Sequence, residues 1–110
     1  MCKSEIYLNS QGPLVSIIIP TYKRSEMLPR AIESVLNQTY KNIQVIVVDD
    51  NDPDTEFRIA TEQRMLLYNY NPRVKYIRHE KNMNGSVARN TGIKNADGEI
   101  VAFLDDDDWY

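Results

Sequence analysis

The chain has 110 residues, 42% of them hydrophobic, with 13 basic side chains against 16 acidic ones, one His and one Cys. That is enough for one domain with its own core, and with Cys2 alone neither a disulfide framework nor a structural cysteine–metal site is available. The net charge is −3, and because Asp105 to Asp108 supply −4 the preceding chain carries +1, so no basic stripe argues for nucleic acid.

Met1 to Gly12 mixes polar residues around a lone Ile6-Tyr7-Leu8 cluster and has no sustained period, so a flexible leader is expected over 1–12 and an ordered domain over 13–110. No apolar run approaches the roughly 20 residues of a membrane span. There is no charged-then-apolar signal peptide, and the expected location is the cytoplasm. From Pro13 onward, β-branched apolar runs alternate with segments of helical period. Strands are expected over Val15–Ile19, Ile43–Val48, Val74–Arg78 and Ile100–Leu104, and helices over Glu26–Asn37, Thr55–Tyr70 and Ser86–Asn95.

In the first helix Leu28, Ala31, Ile32, Val35 and Leu36 form one stripe, with Ser25 as the expected cap and Pro29 in the first turn. In the second, Glu62 and Gln63 interrupt the stripe of Ile59, Ala60, Leu66, Leu67 and Tyr70. The third follows Asn84-Gly85, with Ser86 as the expected cap, and its Gly92 implies close packing, since a mid-helix Gly otherwise costs about 1 kcal/mol. The first two strands are almost continuously apolar, as in a sheet covered on both faces. Four strands alternating with three helices predict a parallel α/β, Rossmann-like sheet with right-handed crossovers, and ligands are expected beyond the carboxyl ends of its strands.

Polar residues collect at those ends: Pro20-Thr21-Tyr22-Lys23-Arg24 after strand one, Asp49 to Asp54 after strand two, Asp105 to Asp108 after strand four. In an extended chain Asp105 and Asp107 point the same way about 7 Å apart while Asp106 points oppositely. Their mutual repulsion, about 2 to 3 kcal/mol at an effective dielectric near 20, is what a Mg or Mn divalent cation removes, and such ions leave positions open for phosphate oxygens. The competing reading is a solvated acidic tail. For Asp49, Asp52 and Asp54, ordinary turns and caps compete with a site role. Asp50, directly past a central strand, can only accept hydrogen bonds and would select a base with a ring N–H. Tyr22 offers a stacking face, against the alternative of a structural Tyr. Arg89, near the start of the third helix, can pair with a diphosphate, against the alternative of a surface Arg. His79 has no metal-spaced partner and receives no role, and Met27, Met65 and Met83 read as packing residues.

Taken together, Val15 to Arg24, Ala31 to Tyr40, Val47 to Asp50, Asn84 to Asn90 and Gly98 to Asp108 resemble the family 2 glycosyltransferases, inverting enzymes of the GT-A fold. The resemblance implies that Pro20, Thr21 and Tyr22 line the nucleoside pocket and that Asp50 binds the base. It implies that Asn84, Gly85 and Arg89 border a nucleotide-sugar, and that Asp105-Asp106-Asp107 is the D-x-D segment. In that segment Asp107, with Asp105, holds the metal, while Asp105 and Asp106 face ribose, sugar or diphosphate. The implied partners are a nucleotide-sugar donor, UDP-linked by resemblance, and a glycan or lipid-linked acceptor. Lys23 stands where the family commonly has Asn, and Asp52 where Ser is usual.

The chain ends just past the D-x-D segment. The expectation is therefore a nucleotide-sugar-binding half that is inactive alone. The general base would lie in a further C-terminal half, with no candidate for it among these residues, and an exposed strand-four edge would favour a homodimer. In a full-length parent the location could extend to the cytosolic face of a membrane. A sugar nucleotidyltransferase would carry a Gly-rich loop after strand one, and a receiver-like metal-binding module would place its acidic pair there. Neither feature is present.

Overall fold

The structure, a computed structural model, describes residues 12–108. The expected leader therefore lies outside the described residues except for Gly12. The elements are β1 (Val15–Thr21), a 3₁₀ turn (Ser25–Met27), α1 (Leu28–Leu36), β2 (Ile43–Asp49), α2 (Glu56–Met65), a second 3₁₀ turn (Leu66–Tyr68), β3 (Val74–Arg78), α3 (Gly85–Lys94) and β4 (Ile100–Phe103). The strands form one sheet in the order β3-β2-β1-β4, and all three pairings are parallel. The β2–β1 register pairs Val15 with Ile43 and runs to Thr21 opposite Asp49, so the two strand ends that carry polar residues lie side by side.

The two-residue period of a strand sorts the core into two halves. Ile17, Ile19, Val45 and Val47 pack with Leu28, Ala31, Ile32 and Val35 of α1 and Met65 of α2. Ile18, Ile46 and Val48 face the other way, onto Ala88 of α3. The continuous apolar runs of β1 and β2 thus reflect helices on both faces, as expected. Gly92 explains how closely α3 lies against the sheet: a Cβ there would come within 2.4 Å of the Ile18 side chain. By contrast, Ile100, Val101 and Phe103 of β4 are exposed.

Two helix starts and one helix end differ from expectation. Ser25 does not cap α1. It opens a 3₁₀ turn in which the Met27 N–H donates to the Arg24 carbonyl and the Leu28 N–H to the Ser25 carbonyl. Pro29 supplies no N–H at all, so few donors remain for a side chain to satisfy. The second helical segment tightens to 3₁₀ at Leu66, and Thr55 caps its start by accepting from the Arg58 N–H. Asn84, not Ser86, caps α3, accepting from the Val87 N–H at 3.0 Å.

Candidate functional site

A pocket of about 400 Å³ lies beyond the carboxyl ends of the strands. β1 contributes Pro20 and Thr21, and the chain just past it contributes Tyr22. Asp50 follows β2, Asn84, Gly85 and Arg89 begin α3, and Asp105 follows β4. All eight were expected at a site from sequence. Arg24, Asn82 and Ala88 also line it and were not. Tyr22 is 41% exposed, leaving aromatic surface for a ligand. The Lys23 ammonium lies 5.0 Å from its ring centroid and 5.1 Å from that of Phe57, so a cation already sits against these rings. Lys23 adopts φ 60°, a left-handed conformation that Asn tolerates better than most residues, and its N–H donates to Asn51 Oδ1 at 2.8 Å.

The adjacent carboxylates at the end of β2 serve different networks. Asp49 is fully buried. Its Oδ2 lies 3.1 Å from Arg58 Nε, at an angle too poor for a hydrogen bond from that nitrogen, and accepts from the Tyr76 hydroxyl. Burial, then the bond to Asp49, pushes the Tyr76 phenol well above its ordinary pKa, so it remains a donor. Asp49 Oδ1 accepts from the backbone and the side-chain amide of Asn51 at 3.0 and 2.8 Å. Arg58 Nη2 donates to the carbonyls of Asn51 and His79. Asp49 is thus a structural anchor, in line with the non-site alternative.

Asp50 is buried as well, and four donors surround it. Oδ1 takes the His79 Nδ1 and the Met83 N–H, both at 2.8 Å. Oδ2 takes the Asn82 amide at 2.9 Å and the Asn84 N–H at 3.0 Å. A carboxylate offers about four acceptor positions, so all are engaged, and the carboxylate that lines the pocket also organises the segment bordering it. His79, given no role from sequence, is central to this network. Met83 is not a packing residue: it is 38% exposed and lines a neighbouring hollow with His79. Met65 is buried, as expected.

Asn84 sits at φ 99°, ψ 167°, a region almost reserved for Gly and costing other residues about 1 to 3 kcal/mol. Its N–H on Asp50 and its side chain on Val87 hold it there. Arg89, on α3, makes no ion pair with any described residue, and its Nη1 would be 3.7 Å from a Cβ at Gly85. It is an exposed, unneutralised cation at the pocket.

The acidic segment departs from the extended geometry expected of it. The Asp108 N–H donates to the Asp105 carbonyl at 3.0 Å, closing a turn that gathers one oxygen each from Asp105, Asp107 and Asp108 within 4.8 Å of one another. Asp108 therefore joins Asp105 and Asp107. Three exposed carboxylates at this spacing are a hard-oxygen donor set that fits Mg or Mn.

Asp106 turns inward and is 1% exposed; Thr21 donates to its Oδ2 at 2.9 Å. It therefore ties β1 to the turn, and the expectation that it faces ribose or sugar does not match this orientation. Its Oδ1 lies 3.1 Å from Arg24 Nη2 without hydrogen-bond alignment. Burial pushes the Asp106 carboxyl above its ordinary pKa, with Thr21 and Arg24 acting the other way. Arg24 Nη1 donates to Asp107 Oδ2 at 3.0 Å, so one guanidinium serves two members of the acidic segment.

A parallel sheet of this topology with a pocket and an acidic turn at its carboxyl edge is an α/β domain with its ligand crevice at the strand ends. The sequence profile of glycosyl transferase family 2 matches residues 16–110, and the chain belongs to that family. It is 42% identical over 96 residues to an uncharacterized glycosyltransferase of Rickettsia felis, an alignment covering 87% of this chain and 15% of that protein. It is 37% identical over 99 residues to the GalNAc(5)-diNAcBac-PP-undecaprenol beta-1,3-glucosyltransferase of Campylobacter jejuni, covering 87% and 30%. Among solved structures, S. aureus TarS 1-349 in complex with UDP-GlcNAc superposes with a TM-score of 0.74 at 31% identity, over 87% of this chain and 27% of that one. A mannosyltransferase from Pyrobaculum calidifontis, solved with GDP-Man and Mn2+, has a TM-score of 0.76 at 23% identity, over 93% and 30%. The fold is that of the GT-A glycosyltransferases. The chain spans 15% and 30% of the length of these two curated relatives.

Proposed function

We propose that the chain is the donor-binding part of an inverting glycosyltransferase that takes a nucleotide-diphospho-sugar, with a UDP-sugar the preferred donor, for transfer to a glycan or lipid-linked acceptor hydroxyl. The observation that carries this reading is the meeting of Tyr22, Asp50, Arg89 and Asp105 at one pocket, from segments far apart in sequence. Tyr22 stacks on the base. The base's ring N–H takes the place of the Asn82 amide at Asp50 Oδ2, since Asn82 is the exposed side chain among the four donors. Arg89 and the start of α3, with Asn84 and Gly85, receive the diphosphate.

Asp105, Asp107 and Asp108 would hold Mg or Mn at the turn. When bound, the cation neutralises charge that develops on the departing diphosphate. In the transfer, the acceptor oxygen bonds to the anomeric carbon on the face opposite the diphosphate, the sugar–phosphate C–O bond breaks, and the hydroxyl proton leaves to a base. None of the pocket carboxylates is assigned as that base, because Asp50 is fully hydrogen-bonded and Asp105 belongs to the cation site.

The test is calorimetric titration of UDP with and without Mn²⁺ into the wild-type chain and Asp107→Asn. Wild type is expected to bind UDP at least tenfold more tightly with the metal, and the variant to lose that gain while keeping its melting temperature. Metal-independent binding, or an unaffected variant, would remove the acidic turn from the reading.

A further inference from the structure

We propose that His79 is a positioning residue that sets nucleobase selectivity by fixing the Asp50 carboxylate; this rests on the reading of Asp50 given above. His79 is held at every polar atom. Its N–H donates to the Asp49 carbonyl at 2.9 Å, and its carbonyl accepts from Arg58. Its ring lies 2.8 Å from Asp50 Oδ1 through Nδ1 and 2.7 Å from Thr91 Oγ1 through Nε2. A carboxylate only accepts, so Nδ1 carries the proton. In the neutral ring Nε2 then accepts from the Thr91 hydroxyl. The imidazole thereby ties the end of β2 to α3, the helix whose start borders the pocket.

The four donors to Asp50 are not equivalent. Those from Asn82, Met83 and Asn84 belong to the segment just before α3, and Asn82 and Asn84 line the pocket. His79 is the one donor from outside that segment and the one side chain donating to Oδ1, and it lines the neighbouring hollow with Met83 and Thr91. The terminal torsion of a carboxylate is broad, so a donor on the far side is what keeps Oδ2 aimed at the pocket when the Asn82 amide gives way to a base. Without His79, Oδ1 keeps only the Met83 N–H, the carboxylate has more freedom to turn, and the distinction between bases with and without a ring N–H weakens while the diphosphate contacts remain.

The experiment measures dissociation constants for UDP and CDP, with Mn²⁺, on wild type, Asp50→Ala and His79→Ala, →Asn and →Gln, each checked for folding by circular dichroism. Cytosine lacks the ring N–H of uracil. Wild type is expected to prefer UDP by roughly tenfold or more, as for a hydrogen bond to a charged group, and Asp50→Ala to lose the preference. His79→Ala is expected to lose it through weaker UDP binding alone. His79→Asn, whose amide nitrogen sits at the δ position of Nδ1, is expected to restore it, and His79→Gln is not.

A UDP preference that survives Asp50→Ala would overturn the reading of Asp50 and the proposal with it. A preference lost in Asp50→Ala but kept in His79→Ala would overturn the proposal alone, as would equal loss of UDP and CDP affinity in His79→Ala and His79→Asn. Should His79→Ala fail to fold, the Asn and Gln variants carry the comparison, and ¹⁵N-detected NMR of the wild-type ring gives an independent check: a proton on Nε2 with Nδ1 bare is the wrong tautomer for the proposal.

Discussion

Two acidic segments end two strands of the same sheet, and the protein treats them in opposite ways. After β2, Asp49 and Asp50 are buried, with the Arg58 guanidinium beside Asp49 and donors from Tyr76, Asn51, His79 and residues 82–84 around the pair. After β4, Asp105, Asp107 and Asp108 are exposed, and the nearest cation, Arg24, reaches Asp107 of the three. Charge that has been matched by fixed donors holds a structure together. Charge left largely unmatched is available to an ion from solution. Residue type is identical in the two places, so the difference lies in what the fold brings alongside.

The contrast breaks most visibly at Asp49. Replacing it with Ala leaves the Arg58 guanidinium buried without its carboxylate and removes the acceptor for Tyr76, a loss of the kind that costs about 3 to 5 kcal/mol. Chemical denaturation of Asp49→Ala should show it. A loss below about 1 kcal/mol would mean that this network is no more structural than the exposed turn.

A smaller effect is expected at Arg24, the one partial counter-ion of the unmatched side among the described residues. The guanidinium is half exposed, so water and salt screen its attraction for Asp106 and Asp107. Arg24→Gln is expected to tighten Mn²⁺ binding roughly fivefold in the absence of nucleotide, equivalent to about 1 kcal/mol, with the gain shrinking as salt rises. Electron paramagnetic resonance of free Mn²⁺ measures this directly. Weaker binding in the variant would show that Arg24 shapes the turn more than it competes with a cation there.

The sheet was legible from sequence because strand and helix periods are local: four β-branched runs, three helical stretches and the continuous apolarity of β1 and β2 all follow from neighbours in the chain. The site was legible as a set of strand ends, since a parallel sheet places all of them on one edge. The partners of those ends were not. Arg24 reaches Asp107 across 83 residues and Thr21 reaches Asp106 across 85, and no local pattern encodes such pairings. The alternation of an extended chain sends Asp106 opposite to Asp105 and Asp107, as observed, but leaves out Asp108, because a turn, not a strand, carries it; the sugar-facing role of Asp106 comes from the resemblance alone. His79 has no metal-spaced partner in the sequence, and the signal for its role is its place directly after β3, beside the end of β2.

Asn84 joins the matched network at a cost that can be measured. Its φ of 99° is maintained by the bond from its N–H to Asp50 and by its own capping of α3. Gly adopts this conformation without the steric penalty of about 1 to 3 kcal/mol, and as a cap it falls only a few tenths of a kcal/mol short of Asn. Greater backbone freedom in the unfolded chain takes back roughly 0.4 to 1 kcal/mol. Asn84→Gly should therefore come out more stable by about 0.5 to 1 kcal/mol, a rise of a few degrees in melting temperature for a domain of this size. Asn84→Ala keeps the strain, loses the cap and should melt lower than wild type. If Gly also melts lower, the Asn side chain contributes more at this position than its backbone costs. The buried acidic network would then reach through Asn84 into the start of α3 as net stabilisation, with no strain held at the pocket.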